Sequence, residues 1–449
     1  MTVSLGFQYI WIDALCIIQD SQLDWLKEGG FMADIYTNSS CTLSATASET
    51  PFAGLFRSRS ANQIQVGELS SLPFKLEVVD SFVENDYGRA EIEGSLLFCR
   101  GWILQERLLS PRTLHFSETQ VYFDCASQFK GDVFRHGLPT VQVSNPAVDD
   151  GQPPLAKNFY GRPYHGDMDI DVSWYKIVRN YSRCELTQDS DKLAALSGLA
   201  AIYFRIGKDI YLAGHWKSNL AYTLHWRVEN LKTSRRLHDF GTPSWSWASV
   251  HGPIDFPYRD FEGVATSLIK LLEAHTCPLK ENPYGAVNDG LLVLEGVVQD
   301  LVCLEPFYDL DTRTWFKISS WQCPEDQTRK YARVILDDSK DQLFENMTLT
   351  FLPLIYVVWE DEDPVQGILL RRLPGHTMRY QRVGYWQGKL DDFSVSQTSL
   401  DDGRKCNHAG LKVGTELIDV HLPSSETVIQ SERTSVSLVR HQLRRLEII

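Results

Sequence analysis

The sequence predicts an α/β region at the N-terminus, followed by a larger α+β region that runs from helices into strands. Three observations carry this reading. Within residues 7–46 a short apolar run, a capped amphipathic stretch and an alternating run follow one another, the order of a βαβ unit with a parallel sheet. Residues 172–231 show helical periodicity. From Gly290 onward β-like runs succeed one another: "LLVLEGVVQDLVCL", "ARVIL", "LTFLPLIYVVW", "GILLRRL" and "YQRVGYW".

The elements follow in order. "FQYIWID" is continuously apolar and rich in aromatic and β-branched residues, so it predicts a buried strand ending at Asp13. "SQLD" resembles a capping box, with Ser21 as N-cap and Asp24 three residues later, and predicts a helix to about Tyr36. Gly29 and Gly30 interrupt that helix, at roughly 1 kcal/mol each relative to Ala. "CTLSAT" places Cys41, Leu43 and Ala45 on one face and reads as a strand, as does "FKLEVVD". "GSLLFCRGWILQERLLSPRTLHFS" predicts a helix stopped by Pro111 and a strand "TLHF", paired through "SETQ" with "QVYFDC". Residues 135–170, rich in Pro, Gly, Asn and Asp, predict a boundary or long loop. "WYKIVRNYS", "DKLAALSGLAAIYFRI" and "YLAGHWKSNLAYTLHWRV" predict three helices; "PSWSWASV" predicts a strand with Trp245 and Trp247 on one face, packed in core. The closing "SLVRHQLRRLEII" fits helix or strand.

Composition narrows the function. The net charge of −14 over 449 residues argues against a sequence-independent grip on nucleic acid, which needs a basic face. The longest apolar run, "LTFLPLIYVVW", is shorter than the about 20 residues of a membrane span. Nine cysteines without a CxxC, and no signal peptide, predict reduced core thiols in an intracellular, cytoplasmic protein. No GxGxxG, Walker, GxSxG or HExxH pattern occurs, and the 12 scattered histidines nominate no metal site. His115, in an apolar strand, reads as a satisfied core histidine, and Cys16 has no partner base.

Two carboxylates stand out. Asp13 ends the first predicted strand, and the carboxyl ends of strands line the ligand crevice of open α/β sheets; the competing reading is a loop cap. Glu106 is the other. At roughly 100° per residue, with Trp102 at zero, Ile103 falls near 100°, Leu104 near 200°, Leu108 near 240°, Leu109 near 340° and Glu106 near 40°, so the carboxylate lies between apolar neighbours. The helix has no clean solvent face. Its polar residues therefore need buried partners.

"YIWIDALCIIQD", "MADIYTNSSCTLSAT" and "RGWILQERLLSPRTLHFS" closely resemble three blocks of the HET domain, named for heterokaryon incompatibility in filamentous fungi. "DKLAALSGLA", "YLAGHW" and "PSWSWAS" resemble the extension that often follows it. The resemblance implies a partial HET domain over 1–130, a linker over 131–170, a helical extension over 171–260 and a β-rich region over 261–449. It implies an incomplete flavodoxin- or TIR-like sheet, and non-self recognition or programmed cell death signalling through protein partners, without nucleic acid or membrane and compatible with oligomerisation. Some TIR modules hydrolyse NAD with a glutamate four residues after a tryptophan on a helix. By that resemblance Glu106 would be catalytic and Asp13 and Trp102 substrate-binding, with NAD as substrate and no cofactor or metal. The alternative for Glu106 is a carboxylate buried against Arg100, Arg107 or Arg112. A third reading is a degenerate, inactive paralogue. HET domains usually start with an upstream strand and helix, so a chain of this length is expected to lack part of the pocket and to show little NAD cleavage.

Overall fold

The computed structural model describes residues 1–50, 52–58, 67–69, 76–78, 91–125, 128–132, 170–238, 241–257, 264–279, 281–308, 314–320, 330–341, 348–358, 364–389 and 443–449. These form two compact units. One comprises Met1–Lys208 with Glu281–Gly285, the other Asp209–Lys280 with Ala286–Ile449. Most of the predicted linker over 131–170 lies outside the described residues.

In the first unit a short helix α1 (Asp13–Cys16) precedes α2 (Gln22–Asn38). Ser21 caps α2 as predicted, its hydroxyl accepting from Asp24 N–H at 3.2 Å. Asp24 does not complete the box. Its carboxylate instead accepts from Ile18 N–H at 2.8 Å and so fixes the approach of the chain. The helix continues unbroken through Gly29–Gly30. A Cβ at Gly30 would meet open space, so no packing demand forces a kink there.

"CTLSAT" supplies β1 (Thr42–Ser44). β2 (Gly67–Leu69) and β3 (Leu76–Val78) form a separate antiparallel pair, the latter within "FKLEVVD". Helix α3 (Gly101–Leu109) leads into β4 (Arg112–Phe116), β5 (Val121–Cys125) and β6 (Gln128–Gly131). The sheet order is β1-β4-β5-β6, with β1 parallel to β4 and the remaining pairs antiparallel. The predicted strand at "YIWID" is corrected: residues 7–12 are not a strand, and Tyr9 and Ile10 are 87% and 57% exposed. A strand needs a neighbour to pair its backbone, and apolar side chains alone do not supply one.

Two further helices complete this unit, α4 (Ile170–Ser182) and α5 (Ser197–Gly207). Trp174, Tyr175, Ile177, Val178 and Tyr181 of α4 are buried, the i, i+3, i+4 stripe of a core-facing helix. The Tyr181 hydroxyl donates to Lys192 O at 2.8 Å and ties α4 to the turns before α5.

The second unit opens with three short antiparallel pairs: β7 (Tyr211–Leu212) with β8 (His215–Trp216), β9 (Arg227–Val228) with β12 (Ile254–Asp255), and β10 (Arg235–Arg236) with β11 (Val250–His251). The third helix predicted over "YLAGHWKSNLAYTLHWRV" is therefore corrected: its start is the β7–β8 hairpin, and only Lys217–Tyr222 winds into a short 3-10 helix. Ala213 and Gly214, at φ +43° and +99°, form a two-residue hairpin loop, and left-handed backbone at two successive residues excludes a right-handed helix. The strand predicted at "PSWSWASV" is instead a 3-10 turn over Trp247–Ser249, capped by Ser246. This turn clasps the hairpin: Ser246 Oγ donates to Ala213 O at 2.6 Å and Trp247 Nε1 to Gly214 O at 3.0 Å. Trp245 and Trp247 are fully buried, in agreement with the core reading.

The β-rich prediction holds for the rest. A ten-stranded sheet contains β13 (Val264–Ser267), β14 (Ile269–Pro278), β15 (Val287–Val297), β16 (Gln299–Tyr308), β17 (Thr314–Ser320), β18 (Lys330–Leu336), β19 (Thr348–Val358), β20 (Pro364–Arg372), β21 (Arg379–Lys389) and β22 (Leu443–Ile448). Six of these close on themselves, since β19-β16-β17-β18-β21-β20 returns to β19 through antiparallel pairs at every step. Closure removes free edges. Ala332, Val334, Leu349, Phe351, Val365, Leu369, Val383 and Trp386 of these strands form one apolar cluster. Against it the unit buries a charged knot. The Asp337 carboxylate accepts from Arg382 Nε at 3.0 Å and from Arg236 at 2.9 Å, and the Arg382 guanidinium lies 3.4 Å from the Trp226 ring centroid. His215, fully buried with Arg382 nearby, is pushed down to about 3 and stays neutral.

Candidate functional site

Each polar residue of α3 meets a partner far away in sequence. Gln105 Oε1 accepts from Gly198 N–H at 2.8 Å, in the first turn of α5, where backbone donors lack helical partners. Position 198 must be glycine for this approach, because a Cβ there would lie 2.4 Å from that of Ala33 and 2.8 Å from Gln105 Oε1. Arg107 is buried, pairs with Glu93 at 2.9 Å and Asp124 at 3.5 Å, and lies over the Phe98 ring. Glu106 takes a third direction. Its Oε2 accepts from the Tyr36 hydroxyl at 2.7 Å.

This pairing has a geometric origin. Tyr36 precedes Thr42 by six residues and Glu106 precedes Arg112 by six, and Thr42 and Thr113 are register partners in the parallel pair. The two helices therefore bring these side chains together beside the amino ends of β1 and β4. Ser110 stitches the same end, its Oγ lying 2.7 Å from Thr42 Oγ1 and donating to Glu106 O. Burial pushes the Glu106 carboxyl up to about 7; the Tyr36 hydrogen bond and Arg100 oppose this, and the charge of Asp13 adds to it. Burial and the neighbouring Glu106 likewise push the Tyr36 phenol far up. Asp13 is thus electrostatically coupled to Glu106 across 93 positions of sequence. Its own Oδ1 accepts from Ala14 N–H at 2.7 Å at the start of α1. Trp102 is half-buried, one helical turn before Glu106, and Trp11 packs edge-on against Tyr36 at 5.8 Å. The ion partners of Arg107 are Glu93 and Asp124 rather than Glu106.

The opposite, carboxyl end of β1 and β4 holds a second polar group. Thr46 Oγ1 lies 3.5 Å from His115 Nδ1, and His115 Nε2 lies 3.6 Å from the Asp124 carboxylate that Arg107 also faces. Thr46 borders a cavity of about 280 Å³ that Glu91 and Ser117 also line. Sequence reasoning read His115 as a satisfied core residue, and it is fully buried in this chain of contacts. It missed Tyr36, Thr46 and Asp124, whose only signal was a polar atom on an otherwise apolar face. The cysteines correct the expectation of core thiols: Cys16, Cys99 and Cys277 are exposed, and Cys41, Cys125 and Cys184 half-buried. Among the described residues, no helix is long and apolar enough to cross a membrane.

Fold and site together define an α/β module: a parallel strand pair flanked by a helix whose polar residues are all engaged inside the unit. Residues 1–106 match the family model of the heterokaryon incompatibility protein (HET), which confirms the resemblance over that stretch. No curated protein matches the chain. No solved structure matches it either.

Proposed function

We propose that this chain is a non-self-recognition protein of a fungal heterokaryon incompatibility pathway, and that its HET region signals cell death by binding protein partners. The HET match associates the region with incompatibility in general. The observation that supports action through partners is the surface of the matched region. Val3, Tyr9 and Leu15 are 86%, 87% and 79% exposed, with Ile10, Ile18 and Phe31 more than half exposed. Large apolar side chains gathered on one short stretch mark protein contact sites. The test is a Leu15→Asp, Ile18→Asp double variant, expressed in hyphae beside the unaltered chain. Both positions are exposed, so folding should survive while the death response is lost. An undiminished response from a folded variant would overturn the proposal.

A second reading, hydrolysis of NAD, is favoured by Glu106. A desolvated carboxyl poised near neutrality, with a tyrosine hydroxyl on one oxygen, is suited to stabilising an oxocarbenium-like ribose once ionised. In that reading Asp13 and Trp102 border the substrate. Nicotinamide release by purified protein, abolished in Glu106→Gln, would establish it; absence of release at all pH values would dismiss it.

A further inference from the structure

The cavity at the carboxyl ends of β1 and β4 has no part in either reading above. It lies where ligands bind in open α/β sheets, in the crevice beyond the carboxyl ends of parallel strands. Its volume, about 280 Å³, sits at the lower end of the range for small-molecule sites.

Its lining is one-signed. Among the described residues, the ionisable side chains on its wall are Glu49, Glu91 and Glu118, with no lysine or arginine. Glu91 is held in place, one oxygen accepting from Thr119 N–H at 2.9 Å and the other from the Thr119 and Tyr122 hydroxyls at 2.6 and 2.9 Å. Arg57 pairs with Glu118 at 3.3 Å and donates to the Ser48 hydroxyl, so among the described residues Glu49 and Glu91 have no cationic partner. A negatively lined recess repels phosphates and carboxylates and attracts a cation.

The independent observation is Ser117. This residue is 2% exposed, lines the cavity, and its Oγ has no hydrogen-bond partner among the described residues. A buried hydroxyl left without a partner is costly, and a ligand group in the cavity supplies what is missing. Thr46, 3% exposed, stands beside it. Its Oγ1 is already engaged, lying 3.0 Å from Ser44 Oγ, 3.4 Å from Ser44 O and 3.5 Å from His115 Nδ1, whereas among the described residues Ser117 Oγ has no such partner. The pocket thus combines acceptors and negative charge with one hydroxyl that both donates and accepts.

We propose that this cavity binds a small hydroxylated organic amine, its ammonium facing Glu49 and Glu91 and a hydroxyl paired with Ser117. The proposal is independent of the apolar N-terminal surface and of Glu106. Calorimetric titration of the full chain with protonated glucosamine tests it, with glucose as the uncharged analogue and inorganic phosphate as the anion. Saturable binding of glucosamine that weakens with salt, without binding of phosphate, is expected. Ser117→Ala should weaken it about fivefold, the loss of one hydrogen bond, without lowering the unfolding midpoint, since the hydroxyl removed has no partner among the described residues. Glu49→Gln, at an exposed position, should weaken it as well and flatten the salt dependence. Absence of glucosamine binding, equal binding of glucose, binding of phosphate, or an affinity unchanged in Ser117→Ala would each overturn the assignment.

Discussion

Replacing Glu106 by glutamine should change the stability of the first unit in a way that depends on pH. Folding raises the carboxyl from its ordinary 4.5 to about 7, so between those values the folded state binds more protons than the unfolded one. Unfolding free energy therefore falls as pH rises through this window, and the cost of holding an ionised Glu106 is fully present above it. At 1.36 kcal/mol per unit, the shift corresponds to about 3–4 kcal/mol. Glutamine has no such titration, and its amide oxygen still accepts from Tyr36. Near pH 4.5 the variant and the unaltered chain should have about equal stability; above pH 7 the variant should be more stable by about 3–4 kcal/mol. Native-state hydrogen exchange at the α3 amides, followed across this range, isolates the unit within a two-unit chain. A stability difference constant with pH, or a variant less stable than the unaltered chain above neutrality, would refute the reasoning. The first outcome would mean that Glu106 titrates as a solvated carboxyl. The second would mean that its negative charge neutralises an interior cation, the arginine-capped arrangement.

Other perturbations have outcomes of known direction. Arg107→Met leaves Asp124 without its interior cation and should cost about 3–5 kcal/mol in urea unfolding of the first unit. Asp337→Asn strips the shared partner from two buried guanidiniums, Arg236 and Arg382, and should destabilise the second unit by a similar about 3–5 kcal/mol, read from its thermal transition. Gly214→Ala places a Cβ at φ +99° and 2.4 Å from Trp247 Nε1, so circular dichroism melting should show a loss above about 1 kcal/mol. Trp102→Ala should cost about 2 kcal/mol rather than the about 3–5 of a fully buried tryptophan, because Trp102 is only half-buried.

Features resting on neighbours in sequence were legible from the residues alone. Ser21 marked the start of α2, the alternation in "CTLSAT" marked β1, and "TLHF–SETQ–VYFDC" marked a hairpin, because capping, alternation and tight turns are settled within a few residues. The HET blocks were legible for the same reason, as runs of contiguous residues. "YIWID" had the composition of a buried strand, but a strand exists only through a partner, and composition does not specify one. "YLAGHWKSNLAYTLHWRV" had helical spacing, yet two left-handed residues and a tryptophan clasp from 33 positions away made its start a hairpin. The wheel placed Glu106 among apolar neighbours and so predicted that α3 would need buried partners. Which partners was a tertiary matter: Tyr36 for Glu106 across 70 positions, and Gly198 for Gln105 across 93. Short-range order follows from backbone sterics and periodicity, whereas the mate of a buried polar atom depends on where the rest of the chain folds back, and only the tertiary structure decides that.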